Sequence, residues 1–130
     1  MSEFSNYSEN LVINVLLRAA SHTGAAAVYV GLYTSDPTDG NTGTEVPTSG
    51  TSYARTAVVF GAPSDGISTN SSAVEFPQAT SSWGTVGWVG VLDASTGGNL
   101  ICHSPLDVAK TIDTGDIFKI ATSNLSITVS

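Results

Sequence analysis

The chain's single thiol, Cys102, is followed directly by one of its two histidines, His103. Nucleophilic catalysis needs a thiol or hydroxyl beside a histidine base, with an acid to orient the ring. Neighbours on a strand point to opposite faces, and "LICHS" reads as a strand, so the two side chains are not expected to meet. His22 falls in a helix-to-strand turn and reads as a polar turn residue rather than a base. We assign no catalytic residue on this basis.

Metal chemistry has little more support. One cysteine and two histidines do not make a convincing zinc set. The densest run of oxygen donors is "YTSDPTDGNTGTE" (residues 33–45), with Asp39, Asn41, Thr44 and Glu45. An EF-hand loop places a glycine at its sixth position and a glutamate at its twelfth, between helices. Spacing and flanks both differ here. Asp36–Pro37 and Asp39–Gly40 are turn formers, because an aspartate side chain bonds its own backbone and proline presets φ. The stretch is therefore read as a loop that turns the chain, with no metal or cofactor expected.

Eight residues beyond that run comes "YAR". Glu45 closes the excursion and Arg55 opens the next strand, so a bidentate carboxylate–guanidinium pair would pin the loop where it returns. Tyr53 lies on Arg55's side by two-residue alternation and would cover the pair. Glu45, Tyr53 and Arg55 are thus expected to form a structural clamp.

The elements that position these residues follow from periodicity. "NYSENLVINVLLRAAS" (residues 6–21) reads as the one helix, with Asn6 as its cap and Glu9 three residues on. Leu11, Val12, Val15 and Leu16 share a face, and Ile13 and Leu17 widen the apolar surface beyond one stripe. That surplus suggests packing on a sheet and on a neighbouring subunit, with Phe4, Tyr7, Ile13 and Leu17 as candidate interface residues. From residue 23 onward the period is two. Val28, Val30 and Leu32 oppose Tyr29 and Tyr33; Val58 pairs with Phe60, and Val74 with Phe76. Val86, Trp88 and Leu92 oppose Val89 and Val91, and "DASTGGN" turns the chain into "LICHS", where Cys102 shares a face with Leu100. About eight short strands separated by Gly, Asn, Asp and Pro turns indicate an all-β antiparallel sandwich or barrel, jelly-roll-like, with one N-terminal helix. The 130 residues form one domain: residues 1–22 the helix and its cap, 23–130 the sandwich.

Composition narrows the function. Eleven acids against four bases give a net charge of −7, and Arg18, Arg55, Lys110 and Lys119 form no basic run. Such a chain lacks the cations that bind a phosphate backbone, which argues against nucleic acid and against acidic membranes. One cysteine permits no intrachain disulfide. The first residues carry no basic-then-apolar leader pattern, so synthesis in a reducing cytoplasm is expected.

In order along the chain, "NYSENLVINVLLR", "VYVGLYTSDPTDGNTGTEV", "YARTAVVFGAP", "NSSAVEFPQATSSWGTVGWVGVLDASTGGNLICHSPL" and "KTIDTGDIFKIATSNLSITV" resemble a family of small virion proteins of tailed bacteriophages. Members are often labelled tail fibre or minor structural protein, and the similarity covers nearly the whole sequence. The resemblance implies a non-enzymatic virion component that meets other virion proteins. A compact acidic domain without repeats lacks the shaft of a receptor-reaching fibre. It fits a capsid decoration or cement protein, acting as a homo-oligomer (a trimer) on the major capsid protein lattice. A tail, baseplate or fibre-associated module is the alternative. A carbohydrate-binding domain using Trp83, Trp88 and the tyrosines is a further one.

Overall fold

The computed structural model describes residues 3–129. Its elements run β1 (Glu3–Phe4), α1 (Asn6–Arg18), β2 (Val28–Tyr33), β3 (Thr56–Val58), β4 (Ile67–Thr69), β5 (Val74–Glu75), β6 (Gly84–Leu92), β7 (Leu100–Ile112), β8 (Lys119–Ile120) and β9 (Ser126–Thr128). Five strands form one antiparallel sheet in the order β1-β7-β6-β2-β3, and β4–β9 and β5–β8 make two short ladders. An all-β sandwich with one N-terminal helix is the fold observed.

The core lies between the large sheet and the short ladders. Val28, Val30 and Leu32 of β2, Val89 and Val91 of β6, and Cys102 of β7 meet Val74, Phe76, Phe118, Ile120 and Leu125. Burying each such side chain contributes about 1.5–3 kcal/mol. Tyr53 stacks on Phe76 at 6.2 Å and meets Trp83 edge-on at 5.4 Å, so the aromatic centre sits beside the clamp. Trp83 is buried there with its indole N–H donated to the Thr51 carbonyl at 2.7 Å, which removes it from any surface sugar platform.

Two irregularities between β6 and β7 change which residues share a face. Val91 pairs with Cys102 but Leu92 with Leu100, so Ile101 is an extra residue and the phase flips. Leu100 therefore lies opposite Leu92 on the second face, while Cys102 enters the core. The expected common face of Leu100 and Cys102 is corrected by this bulge. A second register shift, between Val86 and Trp88, likewise puts Val86 in the core with Val89 and Val91 and sets Trp88 opposite Tyr33. Single-residue alternation could not foresee either shift.

The helix also departs from expectation. Ser5, not Asn6, is its cap, and its Oγ accepts from the Ser8 amide at 3.2 Å. It ends at Arg18 rather than Ser21, with Ala19 in the left-handed region at φ 57°. The first turn is held by hydrogen bonds. The Ser5 hydroxyl donates to the Leu100 carbonyl, Ser8 Oγ to the Ile101 carbonyl at 2.7 Å, and the Asn6 amide to the Asp39 carbonyl at 2.9 Å. Ser8 is the helix's buried residue. Of the stripe expected to cover the sheet, Leu11 and Val15 are half-buried while Val12 and Leu16 stand in solvent, Leu16 exposed by 73%.

Candidate functional site

The second face of the sheet is small by design where the loop crosses it. Gly31 and Gly90 sit opposite each other in β2 and β6. A Cβ on Gly31 would meet Leu92 Cδ1 at 3.0 Å and Glu45 Oε2 at 3.1 Å, and one on Gly90 would meet Leu100 Cδ1 at 2.8 Å. The missing side chains leave room for residues 34–45, which close over Tyr33, Leu92 and Leu100. A bridge between Tyr33 and Glu45 forms the neck of the loop. Within it the Thr38 amide donates to Asp36 Oδ1 at 2.9 Å, the Asx turn that Asp–Pro favours. Pro37 is fully buried, and Asp39 and Gly40 continue the turn on the surface.

Glu45, Tyr53 and Arg55 meet at that neck. Arg55 Nε donates to Glu45 Oε2 at 2.9 Å and Nη2 to Oε1 at 2.8 Å, a bidentate pair. Tyr53 donates its hydroxyl to Glu45 Oε2 at 2.6 Å and accepts the Leu32 amide at 2.9 Å. Arg55 Nη1 reaches the carbonyls of Ala94 at 2.9 Å and Gly97 at 2.8 Å, in the β6–β7 turn. Sequence could not name those two carbonyls, because a backbone acceptor has no residue-type signal. The β6–β7 turn is itself closed by Asp93, whose Oδ1 accepts the Asn99 amide at 2.7 Å. That bond holds the Asp93 carboxyl below its ordinary pKa.

Electrostatics follow from this packing. Donating to the Glu45 carboxylate raises the already high pKa of Arg55. Burial, then the Glu45 charge, pushes the Tyr33 phenol up to about 12. Tyr53 is raised further, by burial first and by its bond to Glu45 second. Burial alone pushes the Cys102 thiol up to about 12, so it is a protonated packing residue at neutral pH. Proton-holding phenols and a guanidinium that makes four hydrogen bonds suit a clamp that joins four segments.

A second constellation lies at the other end of the loop. His103 Nε2 is 3.0 Å from Asp39 Oδ1, and its Nδ1 is 3.8 Å from Asp36 Oδ1. Glu3 pairs with His103 across β1 and β7. One ligand atom each from Glu3, Asp39 and His103 falls within 4.8 Å of the others. These residues are far apart in sequence, so no spacing motif marks them.

The remaining feature is the free face of α1. Ile13, Leu16 and Leu17 are exposed by 50%, 73% and 78%, with Val12 alongside. Tyr7 is partly exposed nearer the anchored turn, and Phe4 is half-buried against the core beside Cys102. Leu16, expected on the sheet-facing stripe with Leu11, Val12 and Val15, instead joins Ile13 and Leu17 on the outer face. No helix of the described residues is long and apolar enough to cross a membrane. The family model for the Podophage GP4 fiber I protein gp80 matches residues 3–128. No curated protein matches the sequence at a significant level.

Proposed function

The chain belongs to the Podophage GP4 fiber I protein gp80 family, and from that membership we propose that it is a fibre-associated structural module of the virion. It is a bacteriophage structural protein by family; the fibre location and the mode of attachment are our reading. The carrying observation is the α1 outer face. A helix with Ile13, Leu16 and Leu17 in solvent has too few apolar contacts of its own to account for its sequence. We assign that face to a virion neighbour, either another copy of the chain or a fibre partner, with the sandwich as a rigid mount. The role is structural rather than enzymatic, and the clamp fixes the loop and the β6–β7 turn to the sheet. Labelling the protein on purified particles and locating the label by electron microscopy tests the location.

A second reading, a capsid decoration protein acting as a trimer, is supported by compactness: the chain has no repeats and no shaft-forming segment. A cement protein stabilises a shell by binding the assembled lattice but not free subunits. Label spread over the capsid, with particles that lose DNA earlier on heating when the protein is absent, would favour that reading over the first.

A further inference from the structure

We propose that Glu3, Asp39 and His103 bind one divalent transition-metal ion of the zinc class, which clips β1 to the loop and to β7. The His103 ring is 4% exposed, so its position is set by the fold, and Nε2 points at Asp39 from beneath. His103 Nε2 and Asp39 Oδ1 share a 3.0 Å hydrogen bond, a separation that two donors each about 2.0–2.1 Å from one ion could also adopt once the shared proton is displaced. Asp36 stands on the far side of the ring, 3.8 Å from Nδ1. At that distance it adds negative charge beside the ring rather than a hydrogen bond, and its Oδ1 accepts the Thr38 amide. Glu3 and Asp39 are exposed and line a groove of about 580 Å³ together with Glu9, so an ion has access from solvent.

Charge supports the assignment independently. Glu3, Asp36 and Asp39 converge on one imidazole, and no Lys or Arg among the described residues forms an ion pair with them. A divalent ion would balance that excess. One imidazole with carboxylates suits a zinc-class ion, whereas calcium takes six to eight oxygens. The Asp39 carbonyl already accepts the Asn6 amide, so the ion would fix the base of α1. This inference is independent of the fibre reading.

The test uses the full chain and zinc chloride, with binding followed by calorimetry and the melting temperature recorded with and without chelator. One zinc should bind per chain and raise the melting temperature, and cobalt(II) should give a ligand-field absorption band. Loss of even an outer partner of a metal site weakens binding roughly 10–100-fold, so Glu3→Gln should weaken zinc at least about tenfold. Glu3 is exposed, so this variant keeps the fold; His103→Gln should also abolish the cobalt band, and His22→Gln should change nothing. Absence of zinc uptake, uptake unaltered by Glu3→Gln, or uptake lost with His22→Gln would overturn the proposal.

Discussion

Tyr53 and Glu45 share a 2.6 Å hydrogen bond, and the same tyrosine oxygen accepts the Leu32 amide of the central sheet. The loop carboxylate is thereby tied to the sheet through a side chain rooted in the aromatic core. Arg55 completes the arrangement from the opposite side, reaching the β6–β7 turn as well.

Removing either partner of that pair should destabilise the fold. An unpaired, partly buried charge costs about 3–5 kcal/mol, and Arg55→Ala additionally leaves the Ala94 and Gly97 carbonyls without their donor. A double-mutant cycle over Glu45 and Arg55, read by urea denaturation, should give coupling of about 0.5–3 kcal/mol. A coupling of zero would remove the clamp from the account.

Gly90→Ala should destabilise the fold by about 1–3 kcal/mol, the usual cost of overpacking. Its new methyl would lie 2.8 Å from Leu100 Cδ1 and 3.0 Å from Tyr33 Cε1. Gly87→Ala, where nothing lies within 4 Å, is the control and should change the urea midpoint far less.

Alkaline pH should destabilise the protein. Tyr33 and Cys102 have folded pKa values near 12, above their ordinary 10.0 and 9.0, and Tyr53 is raised too. The folded state therefore holds protons that the unfolded state releases, and stability falls as pH rises. The loss should begin near 9 with Cys102, grow past 10 with the tyrosines, and continue towards 12. A urea midpoint that stays flat from pH 8 to 11 would contradict the buried, protonated assignments. Cys102→Ser should weaken the fold at pH 7 by about 1–2 kcal/mol, for a hydroxyl buried among apolar groups, and remove the loss that starts near 9.

The sequence made the fold class legible because period-two alternation and turn residues are local signals. The Glu45, Tyr53 and Arg55 geometry was approachable for the same reason: the residues lie within ten positions of one another across one loop. Three features were not local. The Ile101 bulge reverses the phase of Leu100 against Cys102, and pairing partners alone reveal it. The convergence of Glu3, Asp39 and His103 depends on β1 lying beside β7, a neighbour 100 residues away. The exposure of Leu16 and Leu17 depends on how α1 is tilted from its hydrogen-bonded first turn, and amphipathic patterning cannot distinguish a face that meets a sheet from one that meets a partner.

That outer face carries the account's central claim, and virion incorporation tests it most directly. Leu16→Glu with Leu17→Glu places two charges where an apolar partner would sit, and neither residue touches the core. Particles produced with this variant, purified and quantified by gel against the major capsid protein, should lack it while the free chain keeps its β-sheet circular dichroism. Incorporation of the doubly charged variant at the wild-type level would contradict the account.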